Sequence, residues 1–345
     1  MGKVSVARMK RRFHMMTEAR KHYEWKSGEE GGVRRHETWR HEYLARPYLL
    51  GAPDERVANR FCDVFMNVME IAPNGKLSPV DMLADDTFTR VFTHLLEEYA
   101  HRRQLPPPAE VIERARTPLF KYFENGRPIG IELFEGYEPP SGPIIVKYGR
   151  EEFLRPMFEK GDIRISSASY YNDDDHLDAV RDDELTRYFF LPTYQERMRG
   201  ETSLKIAGHE QPFEDDDIGL PIVVDDYYLS SFCTHIHYRM PTDFEADAAI
   251  VIRDPPLFEQ RLVSAFLAEH PGWKPMGGPI TYYDPYRDYT SFKTPEMAKH
   301  FRYAYQKEYR IAFRNRDGHG QTYPPKFFNV GPMRSYADFL TVGSK

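Results

Sequence analysis

Apolar residues recur every three or four positions through residues 53–116, and this spacing predicts helices that each bury one face. The first such run is formed by Val57, Phe61, Val64, Phe65 and Val68. It stops at residues 72–75, where a proline and an Asn-Gly pair break the pattern. A second apolar run covers residues 88–99. Ser78, with Pro79 directly behind it, predicts the start of the helix that carries this second run.

Short runs of apolar and β-branched residues replace the helical pattern after about residue 143. They predict strands at residues 144–148, 162–166, 227–233, 248–253, 279–283 and 309–314. Helical patterns fall between some of these strands, at residues 151–159 and 256–270. Short strands mixed with a few helices indicate an α+β domain rather than a regular βαβ arrangement.

Residues 126–143 are rich in glycine and proline, so they predict a linker between two regions. We therefore expect a basic arm over residues 1–50, a helical region over 51–125 and an α+β domain over 144–345. The sequence has neither GxGxxG nor GxxxxGK[ST], which argues against nucleotide binding of the common dinucleotide or P-loop kind.

The net charge of −6 hides an uneven distribution along the 345 residues. Residues 1–46 hold 12 Lys or Arg and 6 Asp or Glu, whereas residues 151–226 hold 20 acidic and 8 basic residues. Clustered cations attract phosphate, so this basic head predicts a contact with nucleic acid or another acidic partner. The alternatives are a clasp on the protein's own acidic surface, or a helix pair whose charges only face water.

No stretch approaches the roughly 18 apolar residues of a membrane-spanning helix, and the N-terminus lacks the apolar core of a secretory signal. The chain has only two cysteines, too few for a disulfide framework. We therefore expect a soluble, cytoplasmic protein that makes no membrane contact.

Several segments of the α+β domain carry residues suited to chemistry. Residues 147–149 join a lysine, a tyrosine and a glycine at the end of an apolar strand. Residues 163–175 run from an alternating strand into a loop of hydroxyls and carboxylates. Up to seven carboxylates lie close together in sequence: Asp173, Asp174, Asp175, Asp178, Asp182, Asp183 and Glu184. Such oxygen ligands can hold magnesium or calcium, but the spacing fits no EF-hand loop, so a solvated acidic face is the favoured interpretation and no metal ligand is assigned.

Two later segments complete the set. Residues 228–232 form a strand with adjacent hydroxyls at Ser230 and Ser231. In a strand, Gln306 and Glu308 point to the same face, where both can accept hydrogen bonds from a ligand. The alternative is an exposed edge at which Glu308 pairs with Arg310 or Lys307. His235 and His237 also share a strand face, but the sequence shows no third ligand for a metal.

The order of these motifs resembles that of bacterial proteins of unknown function whose domain is similar to the ADP-ribosyltransferase superfamily. The resemblance rests on Lys147-Tyr148-Gly149, Ser-Ala-Ser-Tyr-Tyr-Asn-Asp, Arg-Asp-Asp-Glu, Leu-Ser-Ser-Phe and Gln-Lys-Glu-Tyr-Arg, and it covers about residues 144–315. It implies a split, twisted mixed β-sheet that binds NAD, as a substrate, in the cleft between its two halves.

The resemblance also implies roles for individual residues. A basic residue on the first strand holds the nucleotide, which matches Lys147 beside Tyr148, with Arg164 as a second candidate. A middle-strand hydroxyl orients the nicotinamide ribose, which matches Ser230 as the catalytic choice or Ser231 beside it. The last-strand pair Gln306 and Glu308 matches the pair that positions the acceptor and stabilises the ribosyl cation. Two further residues are expected to contact NAD: Tyr171 and Asn172. Lysine replaces the usual arginine or histidine on the first strand, and it cannot make the same forked contact.

The leading hypothesis is therefore an ADP-ribosyltransferase-like enzyme that cleaves NAD and transfers ADP-ribose to a macromolecule, in a toxin or phage-defence role. A second hypothesis is a non-catalytic module that binds a nucleotide, with residues 1–46 contacting nucleic acid. A third is a metal-dependent nuclease or phosphotransfer enzyme that uses the acidic cluster.

Overall fold

The computed structural model describes residues 4–26, 34–81, 86–172, 183–213, 217–288 and 294–343, and in these ranges the protein is α+β. Its helices are α1 Val6–Lys26, α2 Arg35–Ala45, α3 Asp54–Asn67, α4 Asp86–Arg102, α5 Ala109–Phe120, α6 Ile129–Leu133, α7 Glu151–Lys160, α8 Tyr194–Arg199, α9 Met240–Asp243 and α10 Pro255–Glu269. The strands are β1 Met69–Ile71, β2 Leu77–Pro79, β3 Ile145–Gly149, β4 Asp162–Ser167, β5 Thr186–Pro192, β6 Ser203–Ile206, β7 His209–Pro212, β8 Asp217–Val223, β9 Tyr228–Cys233, β10 Ala248–Ile252, β11 Lys274–Pro279, β12 Thr281–Tyr283, β13 Ala298–His300, β14 Glu308–Arg314, β15 Lys326–Asn329 and β16 Ala337–Thr341.

The predicted apolar face of α3 is confirmed, since Val57, Phe61 and Val64 are buried. A β-hairpin then follows that the apolar spacing does not predict. β1 pairs with β2 antiparallel, and Gly75 in the turn has φ of 76°, a conformation that favours glycine. The prediction of a helix start at Ser78 is therefore wrong, because Ser78 pairs with Glu70 in this hairpin.

The basic head packs onto the helical region through α1. Met9 and Met16 are fully buried, because α1 lies against α2, α4 and α8. Arginines of α1 and α2 form ion pairs with α4: Arg12–Glu98 from α1, and Arg35–Asp86 and Arg40–Glu97 from α2. The head therefore clasps the helical region, through carboxylates that lie outside the acidic segment 151–226.

Residues 126–143, predicted as a linker, form a packed connection. They contain α6, in which Ile131 and Leu133 are buried. Gly130 lies against the backbone of Tyr238, so closely that a Cβ there would stand 2.2 Å from the Tyr238 carbonyl oxygen. A side chain at position 130 would clash with that backbone, which explains the glycine.

The central sheet has the strand order β11-β14-β9-β3-β10-β16, and β4 and β15 join it beside β9. Its pairs are antiparallel throughout, so the predicted mixed sheet is wrong in this respect; parallel pairing occurs between β12 and β13, outside it. β3 and β9 share one pair, Val146↔Cys233, whereas β9 turns to pair with β4 at Ser166 and Ser167. The sheet therefore opens between β3 and β9.

Apolar side chains of α10 cover one face of the sheet. Phe266 stacks on Phe313 of β14 with 3.8 Å between ring centroids, and Phe258 packs edge-on against Phe232 of β9. Burying these rings supplies much of the free energy that holds α10 on the sheet.

On the other side, α3 contacts the 3-10 turn Phe301–Gln306, which leads into β14. The Asn67 side chain donates to the Phe301 carbonyl (3.2 Å) and accepts from the Tyr305 amide (2.7 Å). Arg60 of the same helix pairs with Asp284 just after β12 (2.9 Å). The helical region thus fixes the turn that precedes Glu308.

Candidate functional site

Strand alternation decides which hydroxyl of β9 faces Glu308. Because successive side chains of a strand point to opposite faces, Ser231 lies on one face and Ser230 on the other. Ser231 stands opposite Arg310 in the register of β9 and β14, and its Oγ donates to Glu308 Oε1 at 2.6 Å. Ser231 and Glu308 therefore meet on the face that does not carry α10.

A pocket of about 230 Å³ lies where β3 and β9 separate. It is lined by Val146, Lys147, Tyr148, Tyr171, Glu184, Leu229, Ser231, Phe232, Cys233, Phe244, Lys299, Gln306 and Glu308. Six of the nine residues expected from the sequence to bind or act on NAD meet there: Lys147, Tyr148, Tyr171, Ser231, Gln306 and Glu308.

Three other residues singled out in the sequence lie outside the pocket. Ser230, the catalytic choice, faces the α10 side, and its buried Oγ has no hydrogen-bond partner among the described residues. Arg164 of β4 points outward and lies 4.7 Å from the ring centroid of Tyr170. Asn172 is exposed at the end of a 3-10 turn. The sequence identifies these segments, but the pleat and register decide which side chains face inward.

Glu308 is buried and its charge is held in place by two cations. Arg310 Nε donates to Oε1 at 2.7 Å, and Lys299 Nζ lies 3.3 Å from Oε2. Burial by itself would raise the pKa of Glu308, but Arg310 and Lys299 outweigh it and lower the pKa to about 2. The carboxylate is therefore ionised at every physiological pH. The alternative considered from the sequence is right about the pair of Glu308 with Arg310 and wrong about an exposed edge, because both side chains are buried.

A second carboxylate completes this network. Glu184 accepts from Arg310 Nη1 and Nη2, both at 2.9 Å, and from Arg187 at 3.1 Å. Burial opposes its charge, yet the facing Arg310 and Lys299 lower the pKa of Glu184. The sequence places Glu184 in an acidic surface cluster; the structure buries it beside the pocket.

Lys299 and Arg187 are the members that sequence reasoning missed. Lys299 lies on the three-residue strand β13, nine residues before Glu308, and Arg187 lies near the start of β5, three residues after Glu184. An isolated lysine or arginine in a short strand carries no local signal of burial. Only the network of contacts with Glu184 and Glu308 reveals both.

Gln306 lines the pocket as predicted, but the backbone that places it there is not the predicted strand. It ends the 3-10 turn and does not belong to β14, and Lys307 between it and Glu308 has φ of 43°. Lys299 Nζ donates to Gln306 Oε1 at 3.2 Å. Gln306 and Glu308 are therefore brought together by a left-handed residue and a shared lysine, not by strand alternation.

Lys147 spans the opening between β3 and β9. Its Nζ donates to the Ser231 carbonyl at 2.8 Å and lies 5.0 Å from the ring centroid of Phe232. That carbonyl needs a partner because β3 does not pair with β9 at this point. Burial lowers the pKa of Lys147 to about 8, and the Glu308 carboxylate limits the fall.

Aromatic and thiol groups form the remaining wall of the pocket. Tyr148 accepts from the His237 amide at 2.8 Å and stacks near Phe244, with 6.3 Å between centroids. Burial raises the pKa of Tyr171 to about 12, and it raises the pKa of Cys233 as well. The tyrosine and the thiol are therefore protonated at neutral pH.

The other metal candidates do not form a site in the described residues. The rings of His235 and His237 lie 5.5 Å apart, away from the pocket of Glu308. No group of three or more His, Cys, Asp or Glu side chains in the described ranges is arranged to hold a metal ion. Most of the acidic cluster lies outside the described residues: Asp173, Asp174, Asp175, Asp178 and Asp182.

No family model, curated protein or solved structure matches this chain. Among the residues that the structure describes, no helix is both long and apolar enough to cross a membrane.

Proposed function

We propose that this chain is an ADP-ribosyltransferase-like enzyme that cleaves NAD and transfers ADP-ribose to a macromolecule. The observation that carries the proposal is the meeting of Lys147, Ser231 and Glu308 in one pocket, with Gln306 beside them. A protein that modifies a macromolecule in this way would suit a toxin or phage-defence role.

The reaction needs a fixed negative charge beside the ribose. When nicotinamide leaves with the electrons of the glycosidic bond, positive charge builds on the ribose, and an ionised carboxylate stabilises that state. Glu308 would supply the charge, while the Ser231 hydroxyl would orient the ribose. The acceptor then bonds to the same carbon and releases its proton to water, and Gln306 would position that acceptor.

Size and charge decide which part of NAD the pocket would hold. Its volume of about 230 Å³ is below the roughly 300–1,000 Å³ of sites for drug-sized ligands, so it suits the nicotinamide riboside end. Arg187, Lys299 and Arg310 face two carboxylates, which leaves excess positive charge even before Lys147 is counted. That excess favours a pyrophosphate at the mouth of the pocket.

The same cations place a requirement on the mechanism. Lys299 and Arg310 together cancel the charge of Glu308 in the free protein. For Glu308 to stabilise a ribosyl cation, Lys299 has to turn from it towards the phosphate when NAD binds. Lys299→Met should therefore weaken NAD binding more than it slows cleavage of bound NAD.

The proposal is tested with NAD carrying label in its adenylate part, incubated with cell extract, while released nicotinamide is quantified. The two serines of β9 give a matched pair of variants. Ser231→Ala removes the hydroxyl that faces the pocket, and we expect nicotinamide release to fall at least about tenfold. Ser230→Ala changes the same group on the opposite face and should leave the rate unchanged.

Glu308→Gln should abolish labelled product, with circular dichroism checking that the variant folds. Because that variant removes one of the two carboxylates that Lys299 and Arg310 share, it also perturbs the charge network, and the serine pair remains the decisive comparison. Absence of nicotinamide release by the wild-type protein, or equal rates for the two serine variants, would overturn the proposal.

A second candidate function is a non-catalytic module that binds a nucleotide, favoured by the complete pairing of Glu308 and Glu184 with buried cations. In that case NAD would raise the melting temperature without being consumed. Nucleic-acid contact would use the exposed Arg8, Lys10 and Arg11 of α1. Binding to RNA or DNA that weakens with salt and disappears on changing these three residues to Ser would support it.

A further inference from the structure

The amine of Lys147 lines the pocket and has one hydrogen bond to the protein. Its Nζ donates a hydrogen bond to the Ser231 carbonyl at 2.8 Å, and it forms no ion pair with the residues that the structure describes. An ammonium with one partner keeps two N–H groups for a ligand, and a neutral amine keeps its lone pair. Phe232 packs beneath it at 5.0 Å, which holds the stem in place.

The surroundings of Lys147 favour the neutral amine more strongly than the surroundings of a surface lysine do. Val146, Phe232 and Phe244 give this end of the pocket apolar walls. Burial lowers the pKa of Lys147 to about 8, with Glu308 of β14 acting in the opposite direction and the thiol of Cys233 nearby on β9. The other titratable groups that line the pocket are Tyr148, Tyr171, Glu184 and Lys299.

Beside the pocket, the buried cations Arg187, Lys299 and Arg310 outnumber the two carboxylates that they pair with, and this excess favours an anion in the pocket. Lys299 lies 3.3 Å from Glu308 and 3.8 Å from Glu184, so it stands between the two carboxylates, and like Lys147 it lines the pocket. A ligand that carries a phosphate next to a reactive carbon would therefore place the carbon by Lys147 and the phosphate by Lys299.

We propose that Lys147 is an amine nucleophile that captures a small phosphorylated aldehyde in this pocket. The neutral amine attacks the aldehyde carbon, a C–N bond forms, and the carbonyl electrons move to oxygen. Loss of that oxygen as water, with the two protons of the amine, leaves an imine; no oxidant or reductant is needed. This inference goes beyond the proposed cleavage of NAD and does not depend on it.

Pyridoxal 5′-phosphate serves as the probe, with borohydride reduction to fix the imine and peptide mass spectrometry to locate it. We expect Lys147 to be labelled faster than the other lysines, at a rate that rises with pH and reaches half its maximum near pH 8. Lys147→Arg, which keeps the charge but cannot form the imine, and Lys147→Met should both lose this label. Lys205→Met removes an exposed lysine of β6 and should label as the wild type does.

Pyridoxal without the phosphate tests the anion site, and we expect it to label Lys147 at least about tenfold more slowly. Equal rates for the two aldehydes would overturn the phosphate part of the inference. Label spread evenly over the exposed lysines, or unchanged labelling of the Lys147→Arg variant, would overturn it entirely. Nicotinamide release is measured separately, so that failure of this inference and failure of the proposed NAD cleavage are distinguishable.

Discussion

Two carboxylates of this protein have nearly the same partners in different settings. In the helical region, Glu98 is paired with Arg12 and Arg102 and accepts from the Tyr43 hydroxyl at 2.6 Å. In the sheet region, Glu308 is paired with two cations, Lys299 and Arg310, and accepts from the hydroxyl of Ser231 at 2.6 Å. Each carboxylate thus has two cations and one hydroxyl.

The difference lies in what surrounds the two groups. Glu98 is fully buried on α4, among side chains such as Val91, Leu95 and Tyr99 that fill the helical core. Glu308 is nearly as buried, at 4% exposed, yet it lines a pocket of about 230 Å³. A buried ion-pair network is therefore not by itself a sign of function; its position on the wall of a cavity makes Glu308 the candidate.

The largest expected effect is the difference in stability loss between variants of Glu98 in the helical core and Glu308 in the pocket. Glu98→Gln removes the carboxylate that pairs with Arg12 and leaves Arg102 paired with Asp54, and it should lower the free energy of unfolding by about 3–5 kcal/mol. Glu308→Gln should cost less, about 1–3 kcal/mol, because water in the pocket can solvate Lys299. Urea denaturation of both variants measures the difference. Equal losses of stability would mean that Glu308, although it lines the pocket, contributes as much to folding as Glu98 in the helical core.

Acid should act on the pocket network with a defined sign. The pKa of Glu308 is lowered to about 2 from its usual 4.5, so its stabilising contribution is present above pH 4.5 and is lost as the pH falls through about 2. We expect the wild type to lose on the order of 2 kcal/mol more than Glu308→Gln across this interval. Denaturation curves at pH 2, 3, 4.5 and 6 measure it; parallel curves for both proteins would contradict the prediction.

The serines of β9 sharpen the comparison between the two faces of the sheet. Ser231→Ala removes a hydrogen bond to an ionised carboxylate and should cost about 1.5 kcal/mol. Ser230 has a buried hydroxyl without a described partner, so Ser230→Ala should change stability by less than about 0.5 kcal/mol. Thermal unfolding followed by circular dichroism suffices, and a larger loss for Ser230→Ala would show that its hydroxyl has a partner after all.

The smallest expected effect concerns Lys147. Because its pKa is lowered to about 8, the unfolded chain binds more protons than the folded one between pH 8 and 10.5. Burial of the ammonium therefore costs stability below pH 8, and the cost fades as the pH rises to 10.5. Lys147→Met should raise stability at pH 7 by on the order of 1 kcal/mol, and this gain should disappear near pH 10.5. A gain that does not change with pH would refute the assignment.

The elements themselves were largely predictable from sequence. The predicted strand at 144–148 is shifted by one residue from β3, and those at 162–166 and 248–253 differ by one residue at one end from β4 and β10. The predicted helices coincide closely with α7 and α10. Their apolar spacing is a local property that survives in any packing that buries one face. The hairpin of β1 and β2 was not predicted, because its strands are three residues long and are too short to show a periodic pattern.

The sequence identified the segments that form the candidate site, but it identified only some of the side chains that line the pocket. Lys147, Ser231, Gln306 and Glu308 lie on segments whose chemistry stands out in the sequence, and all four line the pocket. Ser230, the catalytic choice from the sequence, lies outside the pocket, whereas Ser231 lines it. Strand alternation fixes only that the two serines face opposite sides of the sheet, and the packing of α10 decides which side carries the pocket.

The sequence by itself determined where the strands and helices lie and which short segments carry unusual chemistry, because both depend on neighbouring residues. Only the tertiary structure decided that Glu184, Lys299 and Arg310 surround Glu308, and that β9 leaves β3 after one pair to open the pocket. Arg310 and Lys299 lie two and nine residues from Glu308 in the chain, whereas Glu184 lies 126 residues from Arg310, and charge pairing acts between them through space over a few ångströms. No local pattern can encode such a meeting.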